Sequence, residues 1–183
     1  MPFDFAAAPL PGMVIVTPRT FPDGRGMFME TWNRAAFRHG GIDEVFVQDN
    51  HSVSAEGVLR GLHYQCGEDA QGKLVRVTAG TVWDVGVDIR EDSPHFGRWF
   101  GMRLDAVDHQ MLYIPPGFAH GFLALEAGSH VQYKCTREYV PEADAGIRWD
   151  DPELGIEWPL PAGRDVVVSE KDAALPLLKD MRR

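Results

Sequence analysis

The chain has 183 residues, 44% hydrophobic and 25% charged, which suits one soluble globular domain with a core of its own. A formal net charge of −9 argues against a nucleic-acid surface, and no apolar run approaches the roughly 20 residues that span a bilayer. Cys66 and Cys135 do not make a disulfide framework or a zinc knuckle, and Met1-Pro2-Phe3-Asp4-Phe5 lacks a secretory leader's basic start, so a cytoplasmic protein is expected.

Residues 1–12 read as an N-terminal arm, because Pro2, Pro9, Pro11 and Gly12 break regular structure. Met13 to Val16 is a short strand stopped by Pro18. A turn at Phe21-Pro22-Asp23-Gly24-Arg25-Gly26 leads into a second strand, Met27 to Trp32. Asn33 to His39 reads as a short helix, with Asn33 as its N-cap and Gly40 just past its end. Val45 to Ser52 begins as a strand and turns polar. Strands follow at Gly57 to Gln65, Lys73 to Val77, Val82 to Arg90, Trp99 to Leu104, Met111 to Ile114, Phe118 to Leu125 and Val131 to Thr136. Within Val82 to Arg90, Trp83, Val85, Val87 and Ile89 share one face, and Val82, Asp84, Gly86, Asp88 and Arg90 the other. Short strands at this spacing predict an all-β sandwich or barrel. Ser169-Glu170-Lys171-Asp172 matches a capping box ahead of Ala173 to Lys179, which predicts a C-terminal helix within residues 169–183.

The stretch Gly57-Val58-Leu59-Arg60-Gly61-Leu62-His63-Tyr64-Gln65 carries a guanidinium and an imidazole inside a strand. Strict alternation would point Arg60 and His63 to opposite faces. If both serve one pocket the strand needs a bulge, and Gly61 is the cheapest place for it.

Arg60, His63, Lys73, His120 and Tyr133 all sit in strand-like segments where apolar residues would be cheaper. Burying a polar group without a partner costs roughly 2–7 kcal/mol, so five such placements favour a wet functional lumen over a packed core. The residues two after His63 and His120 are Gln65 and Phe122, so no strand supplies an H-x-H metal pair, and no compact ligand set is expected. There is neither a G-x-S-x-G nucleophile turn nor a glycine-rich phosphate loop. What remains is acid–base work by His63, Lys73 and Tyr133, with Asp84 or Asp172 orienting an imidazole.

Phe46 to Ser52, Gly57 to Gln65, Gln71 to Val77 and Ile114 to Phe122 resemble the dTDP-4-dehydrorhamnose 3,5-epimerase family. So do Tyr133 to Thr136, Gly146 to Pro152 and Ser169 to Asp172, in the family's order, from about Phe21 to Pro176. The resemblance implies a cupin-like jelly-roll β-barrel with short peripheral and C-terminal helices, acting as a homodimer without metal or other cofactor. The implied substrate is a dTDP-4-keto-6-deoxy sugar nucleotide, epimerised at C3 and C5. His63 matches the base, Asp172 its carboxylate partner, Lys73 the group that steadies the enolate oxygen, and Tyr133 the acid on the opposite face. Arg25, Glu30, Gln48, Asn50, Arg60, His120 and Lys171 match substrate-binding positions, the N-terminal strands partly serving the partner's site. Asp84 and Asp144 complete the expected contacts. The chain departs from the pattern at Asp144, where relatives often carry Glu, and at Arg137-Glu138, where many carry an aromatic residue. A mono-epimerase of a related sugar, a metal-dependent barrel enzyme and a non-catalytic sugar-binding barrel are the competing readings.

Overall fold

The computed structural model describes residues 2–160 and 165–181; Met1 of the expected arm and residues 182–183 of the expected C-terminal helix lie outside them. In chain order the strands are β1 (Phe3–Ala7), β2 (Val14–Pro18), β3 (Thr20–Asp23), β4 (Gly26–Met29), β5 (Gln48–Ser54), β6 (Leu59–Gln65), β7 (Lys73–Ala79), β8 (Thr81–Asp88), β9 (Trp99–Asp105), β10 (Met111–Ile114), β11 (Phe118–Ala124), β12 (Ser129–Cys135) and β13 (Asp144–Gly146). Two short helices join them, α1 (Arg34–His39) and α2 (Glu170–Ala173).

The strands pair into a six-stranded sheet, β1-β2-β10-β7-β12-β5, and a five-stranded sheet, β13-β6-β11-β8-β9, with β3 and β4 as a separate hairpin. Val75, Val77, Leu112, Ile114 and Val131 from the first sheet pack against Val82, Leu104, Phe118 and Phe122 from the second. This is the all-β architecture that the strand spacing predicts, in the cupin-like jelly-roll form that the resemblance implies.

Both outer faces are also covered. Phe3, Val16, Leu74, Met111 and Tyr113 bury the back of the six-stranded sheet under Phe37 of α1. Val85, Val87, Leu62 and Ala119 bury the back of the other under Ile147, Leu154 and the tail. The apolar face of β8 therefore points away from the barrel, and the face bearing Asp84 points toward it. That inversion makes room for a polar lumen.

Asn33 caps α1 as expected, its Oδ1 accepting from Ala36 N at 3.1 Å. The arm is more ordered than its prolines suggest. Phe3–Ala7 pairs with β2 along its whole length, and the Phe3 and Phe5 rings meet Phe37 edge-on. The tail is less helical than expected. Only Glu170–Ala173 forms an α-turn, because Pro176 has no N–H to give and disfavours helical geometry at Leu175. A separate 3₁₀ turn follows at Leu178–Asp180.

The bulge in β6 sits where the sequence places it. His63 pairs with His120 and Arg60 with Phe122, so three steps along β6 match two along β11. Gly61 has φ +117°, and a Cβ there would lie 2.6 Å from Gly121 Cα and 2.7 Å from the His120 carbonyl oxygen. Only glycine fits this approach. The extra residue turns Arg60 and His63 onto the same pocket.

Candidate active site

Strand β6 delivers His63 with its side chain about one-third exposed, and α2 delivers Asp172, which is almost fully buried. His63 Nε2 lies 2.7 Å from Asp172 Oδ1, and Gly61 N donates to Oδ2 at 3.2 Å. An ionised carboxylate only accepts, so the ring proton sits on Nε2 and the free lone pair on Nδ1. Burial alone would raise the Asp172 carboxyl, but the bonds from His63, Gly61 and Ser169 override it and hold the group below its ordinary value. The stabilisation this lends is complete above roughly pH 4 and is lost as pH falls through the depressed folded value. In a reciprocal capping box Asp172 would turn back to the Ser169 N–H. Here its carboxylate goes to the imidazole instead, while Ser169 Oγ still accepts from Asp172 N at 3.0 Å.

Lys73 enters from β7 and Tyr133 from the neighbouring β12, where Tyr133 pairs with Val75 and Cys135 with Lys73. Lys73 is 7% exposed, its Nζ donating to the His63 carbonyl oxygen at 3.4 Å and lying 6.0 Å from the centre of the Tyr133 ring. Burial lowers the Lys73 pKa and raises that of Tyr133, which keeps the phenol protonated at neutral pH. Behind them His120 Nε2 meets Asp84 Oδ1 at 2.8 Å. Burial outweighs the carboxylate's pull and lowers the His120 pKa, so this imidazole stays neutral. Asp84 Oδ2 has no hydrogen-bond partner among the described residues.

Arg60, His63, Lys73, His120, Tyr133, Lys171 and Asp172 line one cleft of about 480 Å³. An adjoining cleft of about 310 Å³ shares His63, Lys73, Tyr133 and Lys171 and adds Gln48, Asn50, Tyr139 and Asp144. Asp144 closes that end, accepting from Tyr139 Oη at 3.2 Å and pairing with Lys171. In a chain of net charge −9, three cations line the main cleft beside the single carboxylate of Asp172. The local field is thus set for an anion against the global one. A larger groove of about 1120 Å³ lies between Glu91–Trp99 and Leu178–Met181 and contains none of the expected site residues. Size alone points there; the converging imidazole, ammonium and phenol decide for the smaller cleft.

Asp84 lies beneath the cleft rather than lining it. Arg25 and Glu30 are brought to neither part. Arg25 folds back on Asp23 at the tip of the β3–β4 hairpin, and Glu30 accepts from Asn33. Among the described residues no group of three or more His, Cys, Asp or Glu is gathered to hold a metal ion. The sequence reading missed the supporting partners. Ser54 accepts from Arg60 Nε at 3.1 Å, and Gln65 accepts from Val140 N, fixing the loop that carries Tyr139. Ser54 lies just past the expected strand's end, and Gln65 is a polar residue within β6, 5% exposed.

The profile of the dTDP-4-dehydrorhamnose 3,5-epimerase family matches residues 7–180. This chain belongs to that family. The epimerase of Methanothermobacter thermautotrophicus is 52% identical to it over 170 residues, covering 93% of this chain and 91% of the relative. The crystal structure of a dTDP-6-deoxy-D-glucose-3,5-epimerase from Legionella pneumophila, in complex with dTDP-4-keto-L-rhamnose, superposes with a TM-score of 0.93 at 45% identity, covering 98% of this chain and 95% of that one. A 3′-monoepimerase from Streptomyces bikiniensis, in complex with dTDP-quinovose, superposes at 0.88 with 31% identity, covering 94% and 87%. Members of the epimerase family are isomerases, and the jelly roll here is theirs.

Proposed function

We propose that this epimerase converts dTDP-4-dehydro-6-deoxy-D-glucose to dTDP-4-dehydro-L-rhamnose by inverting C3 and C5 through enolate intermediates. The observation that carries the reading is the convergence of His63, Lys73 and Tyr133 on one cleft, the imidazole backed by Asp172. A hydrogen α to a ketone becomes removable when the developing oxyanion is stabilised, which the Lys73 ammonium supplies. His63 Nδ1 takes the proton; Asp172 holds the tautomer and favours the imidazolium that forms. Inversion then requires delivery from the other face, the role of the protonated Tyr133. His120, held by Asp84, borders the sugar, and Arg60 grips the diphosphate through its fork of donors. Gln48, Asn50, Asp144 and Lys171 flank the nucleotide end. No cofactor is called for, since the carbon acid is activated by the substrate's own ketone. The cysteines are free thiols, which suits the cytoplasm.

The test is incubation of the 4-keto sugar nucleotide in D₂O with NMR observation. Deuterium and inversion at both carbons are expected. Exchange confined to one carbon would mean a mono-epimerase, a reading that the 45–52% identity to 3,5-epimerases against 31% to the 3′-monoepimerase disfavours.

The hairpin supports a homodimer in which each subunit completes its partner's site. Phe21, Met27 and Phe28 are 46%, 45% and 69% exposed, and Arg25 stands at the tip between them. We place Arg25 and Glu30 in the partner's cleft, with β5, an edge of the six-stranded sheet, as the docking edge. Mixing inactive Arg25→Ala and His63→Ala chains should then restore about a quarter of native activity, because half the reassembled dimers carry one intact site. Dead mixtures would place Arg25 in its own chain's site.

A further inference from the structure

Asp172 is carried by a single helical turn of four residues, too short to hold a carboxylate by its own hydrogen bonds. The segment is tied down on both sides. Before it, Val167 exchanges backbone bonds with Gly57 and Leu59 at 2.9 and 3.0 Å. After it, the Pro176 carbonyl accepts from Arg148 N at 2.9 Å, and Leu175 covers Gly146 so closely that a Cβ there would sit 2.7 Å from the leucine. Between these anchors, among the described residues, Asp172 itself is oriented by the His63 ring, by the Gly61 N–H within the β6 bulge, and by the Ser169 hydroxyl.

We propose that Ser169 is a positioning residue: its capping hydroxyl, together with the bulge N–H of Gly61, fixes the Asp172 carboxylate in line with His63 and so holds the base in its working tautomer and orientation. The proposal rests on the reading of His63 as the proton-abstracting group. Ser169 is exposed, and among the described residues its hydroxyl bonds to Asp172 alone, at the backbone N–H and at the carboxyl, so it acts on the dyad through that residue. The hydroxyl also helps hold the carboxyl below its ordinary range. The bulge turns Arg60 and His63 to one side, and the Gly61 N–H, like that of Leu59, is given to the tail rather than to β11.

The test compares Ser169→Ala, Ser169→Gly and Ser169→Thr. Loss of the cap should lower the rate of deuterium exchange roughly 3- to 30-fold in the first two, and Ser169→Thr, which keeps an acceptor oxygen, should recover most of it. Because the cap acts on the base and not on the sugar nucleotide, the loss should fall on kcat with KM little changed. In ¹⁵N-labelled protein without substrate, the His63 Nε2–H held by Asp172 should be protected from exchange with water and should lose that protection in Ser169→Ala. A Ser169→Ala protein that is merely less heat-stable, with rate and Nε2–H protection unmoved, overturns the proposal. If Ser169→Ala does not fold, Ser169→Gly carries the test, since glycine is tolerated at an N-cap at little cost. Native protein that shows no deuterium exchange into the sugar at all would sink the epimerase reading, whereas protection of the His63 Nε2–H would still decide the role of Ser169.

Discussion

Replacing His63 by alanine should abolish deuterium exchange at C3 and C5 together, with turnover falling by about 10²–10⁴-fold or more. Both imidazoles of the cleft, His63 and His120, have a carboxylate partner, but only His63 has a side chain about a third exposed. His120 is sealed at 6% exposure and spends its Nε2 on Asp84, and the low pKa imposed by burial makes it a poor proton acceptor. Both reacting carbons flank the same ketone, so one base can serve both after a small shift of the sugar. A variant that lost exchange at only one carbon would require a second base. The fold should tolerate the change, because the bulge is held by backbone pairing and by Gly61 rather than by the ring. Circular dichroism and a thermal melt of His63→Ala against native protein check that the loss is chemical. Asp172 keeps the bond from Gly61 N and the one its own N–H gives to Ser169 Oγ in the variant, so the tail should stay docked.

Much of this site is written into the chain locally. Period-2 patterns mark the strands, and polar residues inside them single out Arg60, His63, Lys73, His120 and Tyr133 before any pairing is known. The need for a bulge at Gly61 follows from the same alternation, since two side chains three apart share a face only if one residue is extra. What the pattern cannot carry is non-local. Asp172 lies 109 positions from His63, and its capping-box context describes a helix start equally well; only the folded tail shows the carboxylate diverted to the imidazole. The strand at Phe3–Ala7 was hidden because prolines flank it, while its stability comes from β2 and the Phe37 ring rather than from its own propensity. The orientation of β8 was hidden too. Alternation shows two faces but not which one meets the second sheet, and the tail that buries Trp83 and Val85 is remote in sequence. Arg25 and Glu30 mark a further limit, because in the proposed dimer their contacts would cross a subunit boundary, and such contacts leave no trace within one chain.

Replacing Tyr133 by phenylalanine should separate the two halves of the reaction. Washout of hydrogen needs only the base and a stabilised enolate, so exchange into D₂O should persist within about tenfold of native, while inversion should fall by about 10²–10⁴-fold. The ring fills its place among the barrel residues without the hydroxyl, and Tyr133 Oη makes no described hydrogen bond to the protein, so the change removes an acid and little packing. Burial favours the protonated phenol, which is the form a proton donor needs, and the Lys73 ammonium near the ring face is placed to steady the phenolate left behind. Retained configuration with deuterium in place is the expected product, because His63 can return only to the face from which it drew the proton. Full inversion by Tyr133→Phe would mean that water or His120 supplies the second face, and Tyr133 would then be a wall of the pocket rather than its acid. Loss of exchange together with inversion would instead tie the phenol to the enolate, alongside Lys73. A quench series that follows deuterium content and configuration in the same samples distinguishes all three outcomes.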